Sequence, residues 1–145
     1  METRVYPCTY EKFVAGSVIE HLQGRTIFHN EHHLYCMLCM SRPGEPGVAH
    51  PGYLYSLLLG LTLHDLTGAV ARHVEGNIKV ITPVAIGDTI YAKTRVVSAD
   101  EIDGKPHHGA VTVQTSGYTQ NNTLFMSYVR HLVIRKSSHP KMTAC

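Results

Sequence analysis

The run Tyr53-Leu54-Tyr55-Ser56-Leu57-Leu58-Leu59-Gly60-Leu61-Thr62-Leu63 constrains this chain more than any other segment. Wound as a helix, it carries leucine around nearly its whole circumference. A helix apolar all round must be wrapped by the rest of the fold. A buried strand could share this composition, but length and leucine bias favour helix. Pro51 suits its first turn, where no backbone donor is needed. Ser56, Gly60 and Thr62 interrupt the run, and it is too short to span a bilayer.

The material to wrap it lies downstream. Ile78–Val84, Thr89–Ala99, Ala110–Gln120 and Leu124–Arg135 read as strands, rich in β-branched residues and separated by turns at Gly87-Asp88, Asp103-Gly104 and Asn121-Asn122. Val111 and Val113 alternate with Thr112 and Gln114, as one buried and one open face require. Upstream, Leu34, Met37 and Leu38 recur at helical spacing within Asn30–Met40, and Ser41–Gly47 breaks the pattern with two prolines and two glycines. Phe13–Ile19 fits a strand or an ordered coil. Three or four long antiparallel strands and one helix that must be covered specify an α+β domain, an antiparallel sheet curved around a central apolar helix. Residues 1–145 form that single domain, with a core over about 24–136 and a tail over 137–145. Sheet edges left open favour pairing between subunits, so the expectation is a homodimer or a dimer of dimers, with room for a hetero-partner.

Composition narrows the function. Lys and Arg number 13 against 11 Asp and Glu, and no basic run exists, which argues against a nucleic-acid partner. The first ten residues hold Glu2 and Arg4 and no apolar stretch, so no secretory leader is read there. Four cysteines, Cys8, Cys36, Cys39 and Cys145, are too sparse for a disulfide scaffold, and the expected compartment is the cytoplasm. Histidine stands out, eleven residues in all.

Three segments carry a resemblance. Ile81-Thr82-Pro83-Val84-Ala85-Ile86-Gly87-Asp88-Thr89-Ile90 followed by Thr94-Arg95-Val96-Val97 resembles the "PV..GDT" strand-turn-strand of the MaoC-like hydratase/dehydratases. Val48-Ala49-His50-Pro51-Gly52 leading into the leucine helix is similar to that family's His-Gly helix start, and Gly24-Arg25-Thr26-Ile27 to its opening. The similarity runs from about Gly24 to Ile134. It implies a hotdog fold and the addition or loss of water across an acyl thioester, usually carried on coenzyme A. It also implies an Asp/His pair from a D-x-N-P-x-H motif and a backbone oxyanion donor at the helix start. This chain departs from that pattern twice. No D-x-N-P-x-H follows Ser41, where the loop is about a dozen residues shorter than the family's, and Pro51 stands where the family has glycine.

The residues left to do the chemistry are few. Glu45 and His50 keep the five-residue separation of the missing pair and are the candidate acid/base residues, with His50 leading. Gly52 and Tyr53 are the candidates for thioester and oxyanion binding. His29, Glu31, His32, His33, Cys36 and Cys39 invite a metal reading, but no second ligand pair follows at zinc spacing, and no metal is expected. Cys36-Met37-Leu38-Cys39 lacks the context of a redox pair. Arg42, Arg72, Lys79 and Arg130 read as scattered surface cations, His64 and Asp65 as the end of the central helix, and Asp88 as a turn cap. The expected function is therefore that of a hydratase/dehydratase on a short acyl-CoA. No cofactor is needed beyond the coenzyme A of the substrate. The alternatives are a thioesterase on the same scaffold and a non-catalytic or partner-dependent subunit that binds acyl-CoA.

Overall fold

A computed structural model of the chain describes residues 9–42, 44–63, 65–66, 69–74 and 78–139, the last four-strand region almost in full. Cys8, His64 and Cys145 lie outside the described residues, as does the side chain of Arg72. A short 3-10 turn over Tyr10–Lys12 precedes strand β1 (Val18–Glu20) and strand β2 (Arg25–Thr26). Helices α1 (His29–Leu38) and α2 (Pro51–Leu63) follow. Then come strands β3 (Ala69–Val74), β4 (Lys79–Val80), β5 (Thr89–Glu101), β6 (His108–Thr119) and β7 (Leu124–Arg135). The sheet is antiparallel in every pairing among the described residues and runs β1-β5-β6-β7-β3, with β2 on β5 and β4 on β7.

Helix α2 lies against this sheet, as an apolar rod must. Tyr53, Leu54, Leu58 and Thr62 are buried along it, and Leu54 and Leu58 share a core with Ile27, Val84, Ile90, Ala92, Phe125, Met126 and Tyr128. Burying a leucine fully stabilises by roughly 1.5–3 kcal/mol. The helix comes close enough that a Cβ on Gly117 of β6 would sit 3.0 Å from Leu58 Cδ2 and 2.5 Å from the Phe125 ring. The wrapping is incomplete: Leu63, at the far end, is 41% exposed. Among the described residues no helix is long and apolar enough to cross a membrane.

The strands differ from expectation at three points. Of Ile78–Val84 only Lys79 and Val80 form strand, and the N–H groups of Ile81 and Thr82 both reach Phe125 O before Pro83 leads into the tight turn that Gly87 makes with φ +103°. Asp88 caps that turn, its carboxylate accepting from the Ala85 N–H at 3.2 Å and from Gln120 Nε2 at 2.9 Å. Strand β3 is an element with no counterpart in the sequence reading. Arg130, read as a surface cation, is fully buried.

Arg130 belongs to a polar line through the interior. Its Nη2 donates to Thr115 Oγ1 at 2.9 Å, Thr115 meets Thr94 at 3.1 Å, and Thr94 meets His21 Nε2 at 2.8 Å. His21 Nδ1 in turn bonds Asp65. With a guanidinium at one end and a carboxylate at the other, the donor sense is fixed. Each hydroxyl accepts once and donates once, and a neutral His21 carries its proton on Nδ1. The line joins the residue after β1 to three central strands and to the segment just past α2.

Candidate functional site

The start of α2 is built from imidazoles. His50 is its N-cap residue, since its carbonyl accepts the first helical bond, from Leu54 N–H at 3.1 Å. Serine, threonine or aspartate usually fills this role. Here His50 Nδ1 accepts the Gly52 N–H at 3.0 Å, and Pro51 between them has no N–H to satisfy. His50 is itself tethered, because its backbone N–H donates to His32 Nε2 of α1 at 2.8 Å. These two bonds set both tautomers of the neutral rings. A nitrogen that accepts an amide hydrogen carries none of its own, so His32 is protonated at Nδ1 and His50 at Nε2.

Helix α1 supplies the surrounding groups from one face. The His32 ring stands edge-on to Tyr53, with centroids 5.4 Å apart, and its Nε2 is 3.8 Å from the buried Cys36 sulfur. Burial, with His50, His29 and His33 nearby, holds His32 below the usual imidazole range. Tyr35 packs at 5.7 Å from His50 and 5.4 Å from Tyr53, its hydroxyl lying against Gly52 where a Cβ would collide with it. Burial raises its pKa, so it stays a proton donor. The Tyr53 hydroxyl donates to Glu31 Oε2 at 3.4 Å, and Arg25 grips both oxygens of Glu31 at 2.7 and 2.8 Å. Burial first, then the Glu31 charge, raises Tyr53 as well.

A cavity of about 250 Å³ opens beside this cluster, lined by His29, His32, His33, Cys36, Glu45 and Ile86 among others. Its far wall is the end of the short loop after α1. That loop is pinned by Ile86 N–H to Gly47 O at 2.8 Å and by Ala49 N–H to Val84 O at 2.8 Å.

The four residues picked from the sequence are thus partly brought together. His50, Gly52 and Tyr53 sit together around the helix start, with Pro51 between the first two. Glu45 is exposed and lines the cavity together with His32, whereas His50 and Tyr53 do not line it, and no hydrogen bond or ion pair joins the Glu45 and His50 side chains among the described residues. Gly52 spends its N–H on His50 Nδ1. The Tyr53 N–H receives no acceptor from the described residues and is the free backbone donor of the first turn. The sequence reading missed His32, Tyr35 and Glu31 as members of the site. Their signal was present: Glu31/Tyr35 and His32/Cys36 are i, i+4 pairs on one side of α1. Among the described residues no three His, Cys, Asp or Glu side chains are grouped to hold a metal ion, and Cys36 is buried while Cys39 is exposed.

A sheet wrapped on one apolar helix, with a polar cluster at that helix's start, is the hotdog architecture. The resemblance to MaoC-like hydratase/dehydratases read from the sequence stands beside it. No family model matches the sequence. The chain is 28% identical over 141 residues to the mesaconyl-CoA hydratase of Cereibacter sphaeroides, an alignment covering 88% of this chain and 41% of that protein. It matches the structure of a MaoC-like dehydratase from Rhodospirillum rubrum with a TM-score of 0.77 at 12% identity, over 89% of this chain and 97% of the other. It also matches a double-hotdog protein of Mycobacterium tuberculosis with a TM-score of 0.74 at 19% identity, over 94% of this chain and 46% of that one. The chain spans less than half the length of the curated relatives it matches.

Proposed function

We propose that this domain binds an acyl-CoA thioester at the start of α2 and catalyses addition or loss of water across its α and β carbons. The observation that carries the reading is the bond from Gly52 N–H to His50 Nδ1, which leaves the His50 Nε2 proton as the one the ring can give. In hydration, water attacks the β carbon while a base takes its proton. The thioester oxygen gathers charge, and the α carbon is then protonated. His50 Nε2–H supplies that last proton, and the Tyr53 N–H, at the positive end of α2, faces the developing enolate oxygen. Glu45, on the cavity wall, is the base for water. The proton it gains returns to His50 through solvent, closing the cycle without a cofactor. A cavity near 250 Å³ suits a short acyl group. The mesaconyl-CoA hydratase that the chain resembles supports the substrate class.

The test is direct. The purified chain should consume an enoyl-CoA, followed by loss of enoyl-thioester absorbance, and His50→Ala should lower kcat by about a hundredfold or more. Hydration unchanged in His50→Ala would remove this residue from the mechanism. Release of free thiol in place of hydration would make the domain a thioesterase.

One observation favours a second reading. Glu45 is exposed and unattached to His50, so the domain can also serve as an acyl-CoA-binding subunit whose base comes from a partner. Binding of a CoA thioester without turnover by the isolated chain, and turnover restored by a partner, would select it.

A further inference from the structure

The face of the sheet turned away from α2 carries a feature that this chemistry does not use. Ala92, Thr94 and Val96 of β5 are buried, so Lys93 and Arg95 between them point outward. Register places Ser116 beside Lys93 and Gln114 beside Arg95 on β6, with Val18 of β1 on the other flank of Arg95. These residues and Tyr118 line a groove of about 360 Å³ at the β1 end of the sheet. The β5 and β6 residues of its floor are fixed in ladders with their neighbouring strands, so the side chains project from a rigid base.

The electrostatics of the groove are lopsided. Lys93 and Arg95 are two residues apart on one strand, about 7 Å, a spacing at which like charges repel. Glu20 is the carboxylate present, 3.3 Å from Lys93, whose ammonium also lies 5.4 Å from the Tyr118 ring centroid. The Arg95 side chain is exposed and makes no ion pair or hydrogen bond with the other described residues. Lys79, the register partner of Ser127, brings a third cation to the same face, where Gln114 Nε2 donates to Ser127 Oγ at 3.0 Å. The planar fork of Arg95 is thus held open beside a second cation and a free hydroxyl, Ser116. That combination fits the oxygens of a tetrahedral dianion.

We propose that this groove binds the phosphate or diphosphate group of a small molecule, with Arg95 as the bidentate anchor, Lys93 as the second charge and Ser116 as a neutral donor. The groove and the α2 site lie on opposite faces of the sheet, so the failure of either assignment leaves the other standing.

Calorimetric titration of the whole chain with inorganic diphosphate, ADP and coenzyme A tests it. The expected result is saturable binding that weakens steeply with salt. Arg95→Ala should weaken it by about tenfold or more. Glu20→Gln should tighten it, because the competing carboxylate is gone. Diphosphate binding as tightly as ADP and coenzyme A would identify free inorganic anions as the ligand source, and tighter binding of either nucleotide would identify a nucleotide carrier; both support the site. Absence of binding by all three probes, or binding that neither substitution alters, would overturn it. Both side chains are at the surface, and should Arg95→Ala fail to fold, the opposite-signed Glu20→Gln response decides.

Discussion

At the scale of single residues, His21 and Asp65 are the pair whose removal should be felt most. Burial, opposed by Asp65 and reinforced by the Arg130 charge, holds His21 below its usual imidazole range. An unfolded chain would bind a proton there near the ordinary value of 6.5, before the folded protein does. The unfolded state therefore holds more protons on the acid side. The contribution of His21 is fully present above the unfolded value and is lost as pH falls through it towards the folded one. Thermal melts should show the protein losing stability below about pH 6.5, and His21→Gln should flatten that limb. Asp65→Ala leaves the His21 Nδ1–H without its acceptor and should cost roughly 1–3 kcal/mol, a fall in Tm of about 5 °C. A melt unchanged in Asp65→Ala would show that the polar line carries no stability. Residues of this kind were only half legible. His21 and Asp65 stand 44 apart in the sequence, and nothing local couples them. Arg130 was legible by its period, since it shares alternation with the buried Met126, Tyr128, Leu132 and Ile134, but its charge argued otherwise. His50 could be found because Pro51 and Gly52 mark the helix start beside it.

At the scale of elements, the structure turns on how closely α2 meets the sheet. Leu58 is fully buried there, and Leu58→Ala should cost about 2–5 kcal/mol in a denaturant titration. Gly117→Ala tests the same contact from the sheet. Its new methyl would meet the Phe125 ring and Leu58, and overpacking should cost roughly 1–3 kcal/mol. A neutral Gly117→Ala would mean that the helix stands off further than described. The three long strands were readable because their alternation runs for twelve residues or more, and α2 because its leucines leave no polar face; in α1 the residues that suggested a helix, Leu34, Met37 and Leu38, stay exposed, and His32 and Cys36 are the buried ones. Strand β3 was not readable. Ala69-Val70-Ala71-Arg72-His73-Val74 is poor in β-branched residues and is extended because β7 offers it a partner, from Ala69 opposite Ile134 to Val74 opposite Arg130. The members of α1 that face the site were masked by the reverse effect, a histidine-rich stretch that reads equally as a wet surface.

At the scale of the whole molecule, the described sheet ends in β1 and β3. Edge strands left open in this way favour pairing with a second copy of the chain. Light scattering should then return about twice the 16.1 kDa of one chain, and a mass equal to one chain would rule that assembly out. One detail of the helix start reaches this scale too. Two rings there each keep a lone pair on loan to an amide hydrogen, His32 to residue 50 and His50 to residue 52. Acid would convert the His32 acceptor into a donor pointed at the residue 50 amide, a second donor. That one proton would unmoor the start of α2 from α1.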